Sequence, residues 1–141
     1  MTVHESSLSP CVYSIIAAEI GYQENAYELY LRTARLDLDN YNNDTDDGLH
    51  ITSMAGTWMS IVYGFGGLRI VDGHLCLAPF SPRQWKSYSF RLRFRNHRLE
   101  IVVDESEVTI KQEGGASLPL RVHGTLYNLV ADGTIKHALP R

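Results

Sequence analysis

The period of the hydrophobic pattern changes at Gly66-Gly67, so no single type of regular element can account for both halves of this 141-residue chain. Before that point, apolar residues recur every three or four positions, which is typical of helices that bury one face. After it, apolar and polar residues alternate between turns that contain glycine, which is typical of antiparallel strands. The sequence therefore predicts an α+β chain, with helices in residues 1–66 and an all-β unit in residues 67–141.

Three helices are predicted in the first part. Ser9 and Pro10 suit the first positions of one helix, and Gly21 suits its end because glycine accepts a left-handed backbone. A polar stretch from Asp37 to Asp47 is predicted to be a loop. The second helix, which precedes this loop, has a predicted apolar face of Ala26, Leu29, Tyr30, Thr33 and Leu36.

The third predicted helix carries two overlapping patterns. The apolar pattern is predicted to be its buried face, with Trp58 in the core: Ile51, Met54, Ala55, Trp58, Ile61 and Val62. The second pattern is a stripe of small and hydroxyl residues: Ser53, Gly56, Thr57, Ser60 and Gly64. Small residues let another backbone or a ligand come close. The stripe therefore indicates either tight helix packing or an anion site near His50, at the helix start.

Two hairpins are predicted after Gly67. The first turns at Asp72-Gly73 between strands at residues 68–71 and 74–77. The second is predicted to turn at Asn96-His97, which places Phe94 opposite Leu99 and Arg93 opposite Glu100. Further strands are predicted at residues 108–112, 118–122 and 125–130, followed by another turn signal at residues 132–133. Alternating arginines at positions 91, 93 and 95 are predicted to form a solvated sheet face.

Charge and composition exclude several classes of partner. Thirteen Lys and Arg against sixteen Asp and Glu give a net charge of −3, which offers no general attraction to nucleic acid or an anionic membrane. The apolar run at residues 11–20 is too short to cross a bilayer, and no signal peptide precedes it, so a cytoplasmic location is predicted. Cys11 and Cys76 lack metal-ligand spacing and are predicted to be buried thiols.

Four runs in the first half of the chain resemble glycoside hydrolase family 65, the maltose, kojibiose and trehalose phosphorylases. These runs are HESSLSP at residues 4–10, YLRTARLDLD at 30–39, DGLHITSMAGTW at 47–58 and YGFGG at 63–67. The resemblance implies that residues 1–66 are the last helices of an (α/α)6-barrel catalytic domain. It also implies that residues 67–141 are the small antiparallel β-sheet or sandwich domain that closes the family's chains.

The resemblance implies inverting phosphorolysis of an α-glucosidic disaccharide, and the run NYNNDT at residues 40–45 favours maltose. It requires no cofactor, and inorganic phosphate is the co-substrate. The matching positions for phosphate are Ser6, Ser7, His50 and Ser53. No catalytic residue is assigned, because the family's general-acid glutamate lies upstream of residue 1. The chain is therefore expected to be a carboxyl-terminal fragment that is inactive alone and either oligomerises or lacks its upstream catalytic segment.

Two other classes of function remain open at this point. The chain could be a non-catalytic carbohydrate-binding or interaction module in which the β unit binds sugar, and Trp85 is a candidate stacking platform. It could also be a structural remnant without a function of its own. The aspartates at positions 44, 46 and 47 resemble a carboxylate cluster, but acids before a helix are ordinary partners of its dipole.

Overall fold

The computed structural model describes residues 9–40, 43 and 45–140, and the chain divides into two compact units, Met1–Phe65 and Gly66–Arg141. The first unit contains the helices α1 (Ser9–Glu19), α2 (Gln23–Ala34) and α3 (Ile51–Met59). A single 3₁₀ turn precedes α3, and a π-helical segment, Ser60–Phe65, continues it. The second unit consists of strands. The predicted α+β class is confirmed.

α1 and α2 form a helical hairpin. Gly21 ends the first helix with a φ of +84°, and its amide donates to the carbonyl of Ala18 at 3.1 Å. Few side chains other than glycine adopt that backbone conformation cheaply. Ser14 donates its hydroxyl proton to the carbonyl of Ala26 at 2.8 Å, and both residues are fully buried. This bond ties the two helices together at their contact.

The buried face of α3 is the small-residue stripe. The predicted apolar face is wrong within α3, although its last member, Val62, is 1% exposed in the following π-helical segment. Ile51 is 74% exposed, and Met54 and Trp58 are each 50% exposed. Ser53 and Ser60 are buried, together with Gly56 and Gly64. A β-carbon added at Gly56 would lie 2.9 Å from both the β-carbon and the sulfur of Cys11. Glycine therefore lets the backbone of α3 approach α1, and the larger side chains lie on the other face.

Gly56→Ala should destabilise the helical unit, whereas Gly64→Ala should be tolerated. The new methyl at position 56 overpacks against Cys11 and should cost about 1–3 kcal/mol, partly offset by the better helix propensity of alanine. At position 64 the same methyl would meet the α-carbon of Ile15 at an ordinary 3.6 Å. Denaturant unfolding of both variants, followed by helical circular dichroism, checks this difference. Equal midpoints would contradict the close-packing account.

The second unit contains eight strands in two four-stranded sheets, ordered β1-β2-β6-β7 and β3-β4-β5-β8. The strands are β1 (Arg69–Val71), β2 (His74–Leu77), β3 (Ser87–Phe94), β4 (His97–Asp104), β5 (Glu107–Glu113), β6 (Leu118–Val122), β7 (Thr125–Leu129) and β8 (Thr134–Ala138). Every neighbouring pair is antiparallel except β2 and β6. β3, β4 and β5 lie between these two strands in sequence and form the long connection that a parallel pair requires.

The core of the second unit consists of inward-facing aliphatic side chains from both sheets, each no more than 2% exposed: Leu75, Leu77, Leu99, Ile101, Val103, Val108, Ile110, Leu120, Val122 and Leu129. β8 was not predicted from the sequence. Its alternating pattern contains one branched aliphatic residue, Ile135, and the strand lies at the edge of its sheet. Pairing with β5, which is distant in sequence, therefore defines β8 more than its own side chains do.

The first hairpin is confirmed, and the register of the second is corrected. Val71 pairs with His74 across Asp72-Gly73, and both turn residues have positive φ. The second turn lies at Arg95-Asn96, with φ of +46° and +69°, so Phe94 pairs with His97. A two-residue turn of this type needs positive φ at both positions, and asparagine accepts it readily.

The corrected register shifts β4 by two residues, which preserves the side-chain faces because the strand period is two. Leu92 now pairs with Leu99, and Arg91 pairs with Glu100. The Arg91 guanidinium donates to a Glu100 carboxylate oxygen at 2.8 and 3.1 Å. Arg91, Arg93 and Arg95 are exposed, as the alternation predicted.

Two stacked histidines connect the two sheets at one edge. The ring of His123, in the β6–β7 turn, lies 5.5 Å from the ring of His137 on β8, with an interplanar angle of 19°. His123 Nε2 donates to the carbonyl of Pro79 at 2.9 Å, and the Tyr127 hydroxyl lies 2.8 Å from His137 Nδ1. Burial, with a smaller contribution from His137, lowers the pKa of His123. The folded chain therefore disfavours a charge on this ring.

Acidification should destabilise the chain through His123. Because its folded pKa lies below the unfolded value of about 6.5, the unfolded state binds more protons, and stability is lost as the pH falls through that value. Urea unfolding between pH 7.5 and 5 measures the slope. His123→Asn, which tolerates the positive φ of +46° at this position, should reduce the slope. An unchanged or steeper slope in His123→Asn would contradict the assignment.

Candidate functional site

The candidate site lies where the loop after α2 meets the start of α3. His50 directly precedes α3, and Ser53 lies in its first turn. Ser6 and Ser7, the other two predicted phosphate positions, fall outside the described residues. The structure therefore places two of the four predicted residues within one turn of each other.

His50 is held by Asp37, which lies thirteen residues earlier. The imidazole Nδ1 is 2.6 Å from Asp37 Oδ1, and the backbone amide of His50 donates to Asp37 Oδ2 at 3.0 Å. The two side chains are only 23% and 13% exposed. The hydrogen bond from His50 lowers the pKa of Asp37 because it stabilises the ionised carboxylate. One carboxylate thus fixes both the ring and the backbone of His50.

The backbone of His50 starts the helix, but its imidazole does not cap it. The His50 carbonyl accepts hydrogen bonds from the amides of Ser53 at 2.9 Å and Met54 at 3.2 Å. Its side chain makes no cap hydrogen bond. The imidazole is therefore committed to Asp37 at a point where the helix macrodipole is positive. Near the positive end of the helix macrodipole, a basic ring is less favourable for the helix alone than for a bound anion.

Ser53 lies on the face of α3 that packs against the other helices. The residue is 2% exposed, and its carbonyl accepts the hydroxyl proton of Thr57 at 2.9 Å. His50 and Ser53 are close in sequence and in space, but they differ in access to solvent.

Asp37 is the partner of His50 that the sequence interpretation missed. The sequence places it in a polar loop together with several other acids, and Asp39 lies only two residues further on. In the structure Asp39 pairs with Arg35 through two contacts of 2.7 Å, and Asp46 is exposed. Asp44 and the side chain of residue 47 fall outside the described part of the chain. In the sequence, only its position beside the apolar Leu36 distinguishes Asp37 from the other acids of the loop. Leu36 is buried and anchors that end of the loop.

Trp85, the candidate stacking platform, is partly buried. Trp85 contacts Tyr88 edge-on at 5.8 Å, and the Tyr88 hydroxyl donates to the carbonyl of Phe80 at 3.0 Å. Among the described residues, no group of three or more His, Cys, Asp or Glu side chains could hold a metal ion. Within the same residues, no helix is both long enough and apolar enough to cross a membrane.

Comparisons with known proteins match both parts of the chain to one family. Residues 1–59 match the glycosyl hydrolase family 65 central catalytic domain, and residues 68–129 match the C-terminal domain of that family. A solved structure of a candidate kojibiose phosphorylase from the human microbiome superposes with a TM-score of 0.92. It is 44% identical, and the match covers 99% of this chain and 20% of that one.

Three curated relatives are disaccharide phosphorylases. The maltose phosphorylase of Bacillus subtilis (strain 168) is 53% identical over 123 residues, which are 87% of this chain and 16% of that protein. The α,α-trehalose phosphorylase of Geobacillus stearothermophilus is 46% identical over 94% of this chain and 17% of its own length. The kojibiose phosphorylase of Thermoanaerobacter brockii is 35% identical over 87% of this chain and 16% of its length. The chain thus spans about one sixth of the length of these relatives.

Proposed function

Because this chain belongs to glycosyl hydrolase family 65, we propose that it is part of an inverting disaccharide phosphorylase and supplies the segment that binds inorganic phosphate. Maltose is the proposed disaccharide, with β-glucose 1-phosphate and glucose as products. The observation that carries this proposal is the Asp37–His50 pair at the start of α3. The relatives of this chain are named for phosphorolysis of maltose, trehalose and kojibiose, so phosphate is the substrate they have in common.

Phosphorolysis requires fewer catalytic carboxyl groups of the protein than inverting hydrolysis does. In an inverting hydrolase one carboxylic acid protonates the leaving oxygen, and a second carboxylate activates water on the opposite face of the sugar. Here phosphate would take the place of that water and attack the anomeric carbon itself. The glycosidic bond breaks, and the leaving oxygen takes a proton from the general-acid glutamate that the family resemblance places upstream of residue 1. This chain would then contribute phosphate binding rather than proton transfer.

His50 suits that task on electrostatic grounds. A charged imidazole donates a strong hydrogen bond to a phosphate oxygen and offsets part of its charge. Asp37 stabilises the charged ring, and the positive end of α3 adds a favourable field. Ser6, Ser7 and Ser53 are the proposed hydroxyl donors. Ser53 is the less accessible of the described pair.

A chimaera tests the proposed function directly. The 123-residue aligned segment of the Bacillus subtilis maltose phosphorylase is replaced by the matching part of this chain. The chimaera should release glucose 1-phosphate from maltose and phosphate, while this 141-residue chain alone should not, because general-acid catalysis is worth about 10²- to 10⁴-fold.

A folded but inactive chimaera would overturn the proposal. Saccharide binding by the chain alone without phosphate would instead support the alternative of a carbohydrate-binding module. If the same replacement in the trehalose phosphorylase retains trehalose specificity, the acceptor sugar is selected outside this chain. A change of that specificity to maltose would place the selection within it.

His50→Asn in the chimaera should raise the KM for phosphate and leave the melting temperature nearly unchanged. The asparagine amide can replace Nδ1 in the bond to Asp37, but it has no counterpart of Nε2. Loss of a charge-assisted hydrogen bond to phosphate should cost about 1.5–3 kcal/mol. Initial rates at varied phosphate concentration, with Ser53→Ala as the comparison, give this value. Normal phosphate kinetics with early melting would show that His50 is only structural.

A further inference from the structure

We propose that the groove between α1 and α2 is the surface on which the rest of the catalytic domain packs, through a helix that carries an apolar face. The groove has a volume of about 330 Å³, and Ile16, Ile20, Tyr22 and Leu29 are among the residues that line it. None of the described residues in its lining is charged. The inference rests on the proposed function in one respect, namely that the chain is part of a longer enzyme.

The composition of α1 requires more cover than this chain gives it. The only charged residue of the helix is Glu19, at its carboxyl end, and the residues before it are apolar or small on every side. A water-soluble protein normally buries a helix of this kind all round. In this chain α1 packs on α2 and α3 along one side, where Cys11 and Ser14 are buried.

The other side of α1 is an exposed apolar stripe. Val12, Ile16 and Ile20 follow one another at intervals of four residues, so they lie on one face of the helix. Their side chains are 49%, 47% and 60% exposed, and Tyr22, in the turn after the helix, is 65% exposed. Contiguous apolar surface of this kind marks an interaction site on a soluble protein.

The far side of α2 differs from the groove in charge. A depression there is lined by residues that include Glu28, Arg35 and Asp39. Arg35 and Asp39 form an exposed ion pair at 2.7 Å. A partner on that side would have to remove these charges from water, whereas a partner in the α1–α2 groove would not. The groove is therefore the side of the hairpin that a partner covers at the lower cost.

The occupant is inferred from the family match. Residues 1–59 belong to a central catalytic domain, and the chain spans about one sixth of the length of its relatives. Helices and sheets of one domain pack around a common core. Two neighbouring helices form a groove that accepts the side-chain ridge of a third helix. A helix from the rest of that catalytic domain therefore fits the groove by both shape and polarity.

The test compares thiol labelling of Ile16→Cys in two proteins. One is the 141-residue chain. The other is a chimaera in which the 132-residue aligned segment of the Geobacillus stearothermophilus trehalose phosphorylase is replaced by the matching part of this chain. Labelling by iodoacetamide should be rapid in the chain alone. It should be about tenfold slower or more in the chimaera, because a covered thiol reacts only when its site opens.

Glu28→Cys, on the charged side of α2, is the matched control. Glu28 is exposed, and its replacement should react at similar rates in the chain and in the chimaera. Mass spectrometry of peptides separates both positions from the native thiols of Cys11 and Cys76.

Equal labelling of Ile16→Cys in the chain and in the folded chimaera would overturn the inference. Slow labelling in the chain alone that becomes rapid on dilution, with no further protection in the chimaera, would assign the groove to a second copy and would also overturn it. If the chimaera does not fold, the two cysteines are placed at the matching positions of the trehalose phosphorylase itself, and equal rates there would have the same meaning. A chimaera that protects position 16 but releases no glucose 1-phosphate would refute the proposed function and leave the docking surface in place.

Discussion

The contact between Gly56 of α3 and Cys11 of α1 determines the arrangement of the helical unit. Two helices approach this closely only where a side chain is missing. The contact fixes the rotation of α3 about its axis, and that rotation buries Ser53 and Ser60 while exposing Ile51 and Trp58. His50 directly precedes this helix.

The position of the candidate site depends on the placement of α3. Once α3 is fixed, His50 reaches Asp37 with both its ring and its backbone amide, and a thirteen-residue separation in sequence becomes a 2.6 Å contact. The pair places an imidazole that is hydrogen-bonded to a carboxylate at the start of the helix. Within a family of phosphorylases, such a group is suited to holding an anion that reacts by itself. Under the proposed function, this segment would contribute the binding and orientation of phosphate.

In the β unit, the alternating pattern predicted the side-chain faces correctly but the strand register incorrectly. Alternation along β3 and β4 correctly separated the arginine face from the apolar face. The turn was predicted one position too late, so each pairing along β4 moved by two residues. A slip of two keeps every side chain on its own face. The faces were therefore predictable from the pattern, whereas the partners depended on positive φ at Arg95 and Asn96.

The sequence by itself determined the fold class, the Asp72-Gly73 hairpin and the family. The period of the hydrophobic pattern, the turn residues and the long runs that resemble the family can each be read from a short stretch of sequence. The tertiary structure alone decided which face of α3 is buried, the pairing of β8 with β5, and the pairing of His50 with Asp37. An apolar stripe predicts burial only if a neighbour covers it, and within α3 the closest neighbour covers the small residues instead. Several acids in one loop are equivalent in sequence. Only the path of that loop brings one of them within hydrogen-bonding distance of the imidazole.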